Sequence, residues 1–375
     1  MTSPGPADRP AGADLSAAPG VAGSSAAAGA PPGAARPSAA PGAPSTAVGA
    51  GGGPVVAIDL GGTKALAGVV DPDGTVRTRV WLPSQDLVGQ PAALLDRLAD
   101  GARAAADEAH LPFSAVAAIG ICVPGPLDPT RSVVSIAPNL GWMNLAARQE
   151  LERRLPGKPV HLENDVRAAA LGEHRLGAGR GYRSMLAVFV GSGVGGGIVI
   201  DGQLYHGDGG GAGEIGHMVI RTSGPRCGCG RFGCLEAMAA RGAVRRYVMR
   251  DVARGRTTVL SELLGGRLGA LTSRDLAMAI AQSDAVALRA ARLSARYVGV
   301  AIGGVINLLD PAVVVIGGGI AEALGQRYVE LATGTARRYM LAAAEHAIPI
   351  VASQLGNDAG LLGAALTAYD GLGAR

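Results

Sequence analysis

From Val55 onward, short apolar runs alternate with glycine-rich breaks, and each run reads as one element. VVAIDL, ALAGVV and TVRTRVWL are three short strands joined by GGTK and DPDG, which makes an antiparallel meander. PAALLDRLADGARAAADEAH spaces its apolar residues at helical intervals, and AVAAIGICVPG is a buried strand ending in a turn. Strands first, then a helix alternating with strands, indicate a mixed α/β sheet. The plan recurs: SMLAVFV, GGIVI and GQLYHG are again strand, glycine turn, strand, DG turn and strand. Downstream, ALRAARLSARYVGVAIGGVINLL is helical, AVVVIG is a strand, GGIAEALGQRYVELA enters another helix, and GLLGAALTAY is a closing helix. Two α/β domains are expected, one over residues 54–162 completed by the closing segment 360–375, the other over residues 163–359. Their glycine turns would face each other across a cleft, a geometry that suits a phosphate chain held from both sides.

A chain of 375 residues can bury two cores. Residues 1–53 are Ala, Pro, Gly and Ser with almost no large apolar side chain, so a disordered tail is expected there. That stretch has no apolar core of a signal peptide and too little Arg for a mitochondrial-type presequence. No unbroken apolar run reaches about 18 residues, so no membrane span is expected and the protein reads as cytoplasmic. The net charge of +4 raises nucleic acid as a partner. Against it, the arginines are scattered among acids and aromatic residues are only 3% of the chain, which leaves no stacking surface.

Three of the four cysteines, Cys227, Cys229 and Cys234, lie together, with His217 ten residues upstream of the first; Cys122 stands apart. Three thiols cannot pair off, and no C-x-x-C redox pair is present. C-x-C-x4-C with a histidine offers four ligands and no obvious place for water, the makeup of a closed structural Zn2+ site. A loop with incidental thiols is the alternative.

Gly191, Ser192, Gly193, Gly195 and Gly196 match G-x-G-x-x-G, but a strand follows where a dinucleotide fold needs a helix. A glycine hairpin can still offer backbone N–H groups to phosphate, with Ser192 adding a hydroxyl; packing alone is the other explanation. In DLGGTK, Gly61, Gly62 and Thr63 form a second such turn, and Lys64, one of two lysines in the chain, supplies a compact charge. Asp59 would repel phosphate unless a cation intervened, which implies Mg2+ held through water; a solvated surface turn is the bland alternative. In HLENDVRAAALGEH, Glu163, Asn164 and Asp165 stand between a strand and an Ala/Leu helix. Plain helix capping accounts for such residues; equally, a helix N-terminus favours an ionised carboxylate, a weak base at neutral pH. Phosphoryl transfer asks for little more than positioning.

Together, DLGGTK, VPGPLD, APNLGW, LENDVRAAALGE, GSGVGGG, GAGEIGH, CGCGRFGCLE and VVVIGGG resemble, in order, the ROK family of bacterial sugar kinases and sugar-responsive repressors, its glucokinase-like kinases in particular. The resemblance implies a two-domain actin/hexokinase-like (ribonuclease H-like) ATPase fold, with sugar and ATP in the interdomain cleft. It implies that Asp165 is the general base and that Asn139, Asn164, Glu214, His217 and Glu236 hold sugar hydroxyls. Asp59, Gly62, Thr63 and the 191–196 hairpin match the phosphate segments, Gly317, Gly318 and Gly319 the adenosine-side turn, and His217, Cys227, Cys229 and Cys234 the zinc ligands. The expected activity is ATP-dependent phosphorylation of a hexose at its 6-hydroxyl, glucose first, with fructose, mannose or an N-acetylhexosamine as alternatives. The expected assembly is a homodimer or homotetramer. A repressor would need a helix-turn-helix, and the Ala/Pro/Gly segment has no amphipathic helices. Ser192 stands where related kinases often carry Thr, a change that keeps the hydroxyl, and AMAAR follows Glu236 where ASG is frequent, a difference at the start of the sugar-side helix.

Overall fold

The computed structural model describes residues 52–341 and 348–373. The expected tail over residues 1–53 lies outside the described residues apart from its last two.

Among the described residues, ten of twelve strands form two sheets of the same design. The first holds β1 (Val55–Leu60), β2 (Lys64–Val70), β3 (Val80–Pro83), β4 (Ile119–Val123) and β7 (Val160–Asn164), in the order β3-β2-β1-β4-β7. Between β4 and β7, β5 (Val134–Ala137) and β6 (Trp142–Leu145) pair separately. The second sheet holds β8 (Met185–Val190), β9 (Val194–Ile200), β10 (Gln203–Leu204), β11 (Val313–Gly317) and β12 (Ile350–Ala352), in the order β10-β9-β8-β11-β12. Each sheet begins with an antiparallel meander and adds two parallel strands beside its first strand. The repeated plan read from the sequence is therefore present, and the fold is mixed α/β.

Continuous apolar strands are what a sheet covered on both faces requires. On the first sheet, the helix Pro91–Glu108 covers one face with Leu94, Leu95, Leu98 and Ala102, one turn apart along its length. Proline at its first position loses no helical hydrogen bond. The other face is covered by the helix Ala359–Gly373, buried at every position from Ala359 to Tyr369, which explains a segment apolar all round. Leu366 in its middle is fully buried, so truncation to Ala would cost ~2–5 kcal/mol.

The two sheets exchange helices. The helix Asp165–Leu176 leaves β7 of the first sheet and packs on β8 and β9 of the second, while Ala359–Gly373 follows β12 of the second and packs on β1, β4 and β7 of the first. These helices also pack on each other, so tightly that a Cβ on Gly363 would collide with the Ala168 carbonyl oxygen. This crossing ties both sheets to the segment that begins at Asp165.

Several elements differ from the sequence expectation. Of TVRTRVWL, Val80, Trp81 and Leu82 lie in the strand Val80–Pro83, and GQLYHG contributes two strand residues. GGIAEALGQRYVELA is two helices, Gly319–Leu324 and Gln326–Tyr339, because Gly325 takes a left-handed conformation (φ 58°) that ends the first. The β5–β6 hairpin and the helix Ala147–Arg154 were not foreseen: their apolar residues are too few to show a period.

Candidate active site

Asp59 lies near the end of β1, where the chain turns through Gly61, Gly62 and Thr63 into Lys64. The turn is braced by its own backbone and by Ser84: the Gly61 N–H donates to the Lys64 carbonyl (3.0 Å), and Ser84 Oγ donates to the Gly61 carbonyl (2.8 Å). Asn139, from the turn before β6, stands against it, so that a Cβ on Gly62 would lie 3.1 Å from Asn139 Nδ2. The Lys64 ammonium sits over the Trp81 ring, 3.6 Å from its centroid, a cation–π contact that holds it on the protein.

Burial pushes the Asp59 carboxyl above its ordinary range, opposed by a hydrogen bond from the Cys122 thiol (3.1 Å) and by the charge of Lys64. Asp165 opens its helix directly after β7 and accepts from the Val166 N–H and from Asn164 Nδ2, each at 2.9 Å. Its carboxyl is nonetheless pushed up to about 7, first by loss of solvation, with the nearby charge of Asp59 adding to it. This corrects the expectation that the helix N-terminus sets its ionisation: those hydrogen bonds pull downward, but burial and a like charge outweigh them. A carboxylate that titrates near neutrality is better matched to general-base work than an ordinary one.

Asn164 is the cap that the plain reading of this segment allowed. Its Oδ1 accepts from the N–H groups of Val166 (3.1 Å) and Arg167 (3.2 Å), and its Nδ2 donates to Gly125 O (3.1 Å) as well as to Asp165. The amide is filled by these four bonds.

Two charged neighbours make contacts that the sequence did not announce, Arg167, which it did not single out, and Glu163, which it named without a partner. Arg167, buried two residues past Asp165, donates from Nε to Ala212 O (3.1 Å) and places Nη2 3.6 Å from Glu214 Oε1, which joins the helix to the loop carrying Glu214 and His217. A charged residue on the buried face of an Ala/Leu helix was the available signal. Glu163, also buried, accepts from the Asn164 N–H (2.9 Å) and holds His206 Nε2 at 2.7 Å. Burial would raise its pKa, but the bond and charge of His206 prevail and hold it below the usual range.

On the second sheet, Gly191, Ser192 and Gly193 turn β8 into β9, closed by a bond from the Gly191 N–H to Gly193 O (2.8 Å). Gly195 lets the Asp165 helix approach: a Cβ there would lie 2.7 Å from Val166 Cγ2. Packing, the alternative weighed for these glycines, is thus one of their uses, and it brings the hairpin to the start of the helix. Gly317, Gly318 and Gly319 end β11 beside the same hairpin, with Gly318 against the backbone of Val190.

His217, Cys227, Cys229 and Cys234 converge, with ligand atoms all within 4.8 Å of one another. Cys227 Sγ is 3.8 Å from His217 Nδ1, and Cys229 Sγ is 3.7 Å from Cys234 Sγ. Tetrahedral zinc with Zn–S bonds near 2.3 Å requires edges of about 3.8 Å, so this donor set could hold such an ion. Glu236, two residues past Cys234, touches both neighbourhoods: Oε1 lies 3.6 Å from Cys227 Sγ, and Oε2 accepts from the Val194 N–H of the hairpin (3.2 Å). Glu214 is half-exposed.

The chain as a whole is similar to known proteins. The model of the ROK family matches residues 55–370. The chain belongs to the ROK family. Among ROK relatives, the glucokinase of Streptomyces coelicolor is 33% identical over 319 residues, covering 84% of this chain and 96% of its own. The N-acetylmannosamine kinase of Escherichia coli is 34% identical over 317 residues, covering 84% and 97%. Of solved ROK structures, the hexokinase from Thermus thermophilus superposes with a TM-score of 0.71 at 39% identity, covering 86% of this chain and all of its own. The glucokinase from Streptomyces griseus, in complex with glucose and AMPPNP, gives 0.75 at 32% identity, covering 85% and 100%. No helix among the described residues is long and apolar enough to cross a membrane.

Proposed function

We propose that this ROK protein is an ATP-dependent hexose kinase that phosphorylates the 6-hydroxyl of glucose. One observation carries the reading: Asp165, titrating near neutrality, feels the charge of Asp59 near the first glycine turn and opens the helix whose next residue, Val166, packs against Gly195 of the second glycine hairpin. The glucokinase relatives support glucose as the hexose.

In this account the sugar lies against Asn139, Glu214, His217 and Glu236. Asn164 joins them only by exchanging one of its four bonds. The ionised Asp165 takes the proton of the 6-hydroxyl as that oxygen bonds to the γ-phosphorus and the bond to the ADP oxygen breaks. Because the transition state is loose, the proton leaves late and a carboxylate suffices. Backbone N–H groups around Gly191, Ser192 and Gly193, with the Ser192 hydroxyl, hold the phosphates on one side, and the Gly61, Gly62 and Thr63 turn holds them on the other. The turn at Gly317, Gly318 and Gly319 borders the adenosine.

Two neighbouring acids, with the one adjacent ammonium drawn over Trp81, make a donor set that fits Mg2+, held by Asp59 through water. The ion would neutralise phosphate charge. Zn2+ fits the His217, Cys227, Cys229 and Cys234 cluster, where it would fix the loop that carries Glu214 and Glu236 and free His217 Nε2 for the sugar.

A second reading keeps the chemistry and changes the sugar to an N-acetylhexosamine, because the N-acetylmannosamine kinase is as similar as the glucokinase. ADP release measured with ATP across glucose, mannose, fructose and N-acetylmannosamine decides between them. Highest kcat/KM on glucose is expected; no turnover on any of the four would refute the kinase reading.

A further inference from the structure

Behind β7, on the side away from β4, lies a cavity of about 370 Å3 that no step of the proposed reaction uses. Its walls come from both sheets: the turn at Arg131, the helix start at Arg148, β7 itself, the segment from β10 to His206, and the last turns of the closing helix at Asp370. The size is that of a pocket for a small metabolite.

Its charge is lopsided once pairs are assigned. The two acids on the wall already have strong partners. Asp370 is held by both terminal nitrogens of Arg175 (2.6 and 2.9 Å), and Glu163 by His206 and the Asn164 N–H. Each cavity arginine, by contrast, gives a single N–H to the protein. Arg131 reaches Glu163 only at 3.4 Å, and Arg148 donates only from Nε to Glu152 (3.2 Å). A guanidinium has five donors, so most of those on both arginines remain for an occupant. Both are mounted on firm backbone. Arg131 sits at φ 53° in a turn whose Asp128 carboxylate accepts from Ser132 and Val133 (2.7 and 2.6 Å), and the Arg148 N–H donates to Ser132 O (3.2 Å).

We propose that this cavity is a second small-molecule site, for a phosphate-bearing metabolite whose phosphate is gripped by Arg131 and Arg148. Planar guanidinium forks suit a phosphate group, which accepts two parallel N–H bonds from each. The site also touches the reacting strand. An occupant that draws on Arg131 meets Glu163, and Glu163 holds the backbone N–H of Asn164, one residue before Asp165.

The test is calorimetric titration of the full chain with inorganic phosphate, which needs no turnover and so stands apart from the kinase reading. One saturable site is expected, weakened tenfold or more by Arg148→Gln and by Arg131→Gln, and retained in Ser192→Ala, which alters the glycine hairpin instead. Circular dichroism confirms that each variant is folded, and either arginine variant suffices if the other is not. Absence of a saturable site, equal affinity in the folded arginine variants, or loss in Ser192→Ala in their place would each overturn the proposal.

Discussion

The two sheets carry the same strand order and the same glycine turn between their first two strands, yet only one of them delivers the residue proposed as the base. After β7 the first sheet runs straight into a helix whose opening residue is Asp165. After β12 the second passes through residues 353–358 before the helix Ala359–Gly373, whose second residue is Gly360. A Cβ on Gly360 would lie 2.5 Å from Asp59 Oδ2, so this helix start leaves room for the first sheet's carboxylate, while its own acid, Asp358, is paired with Arg79 (2.7 Å). The glycine turns differ too: Ser84 of the same sheet braces the first, whereas Glu236 from the His/Cys3 loop braces the second. In the proposed reaction the repeated scaffold supplies two edges that face phosphate, and the base lies where the repeats diverge.

Breaking the divergence at its centre has the largest expected effect. Asp165→Asn should lower turnover at least about 100-fold with sugar binding kept, read by steady-state kinetics and calorimetry. The same variant has a stability signature. A carboxyl raised in the folded state stabilises below its unfolded pKa, and that contribution is lost as pH rises through about 7. Asp165→Asn should therefore unfold at higher urea than the parent at pH 8, with the gap closing toward pH 4. Next comes the loop that braces the second turn. Cys229→Ser should weaken sugar binding by roughly tenfold or more, about 1.4 kcal/mol. Nucleotide affinity should fall less, since the loop meets the hairpin at Val194, through Glu236 and Gly216, beyond the Gly191, Ser192 and Gly193 turn; equal loss of both ligands would mean general unfolding. Gly363→Ala tests the helix exchange that holds the sheets together. Its Cβ meets the Ala168 backbone, so urea unfolding should show a loss of about 1–3 kcal/mol. The smallest effect belongs to Ser192→Ala, which should cost about 0.5–1.5 kcal/mol in nucleotide affinity if the exposed hydroxyl meets phosphate.

Much of this plan was legible in the chain because strands buried on both faces are continuous apolar runs, and glycine punctuation marks their turns. The meanders, the helix Pro91–Glu108 and the His/Cys3 cluster follow from local pattern and spacing alone. What was not legible depends on the fold. Asp165 reads in sequence as a residue at a helix start, where hydrogen bonds favour the ion. Its carboxyl is raised because distant Asp59 comes alongside and water is excluded. Likewise, nothing next to Lys64 in sequence announces Trp81, which lies across the β2–β3 pairing and takes the ammonium. Glu163 and Arg167 looked like ordinary charged neighbours of a cap, and their partners His206 and Ala212 come from the other sheet's loops.

The most direct test of the central claim, that Asp165 is a base poised by burial and by Asp59, is the pH dependence of kcat/KM for glucose at limiting ATP, which reports the free enzyme. The ionised form must predominate for turnover, so kcat/KM should fall tenfold per pH unit below an inflection near 7 and level off above it. A profile flat from pH 5 to 8, with chemistry shown to limit the rate by single-turnover measurement, would contradict it.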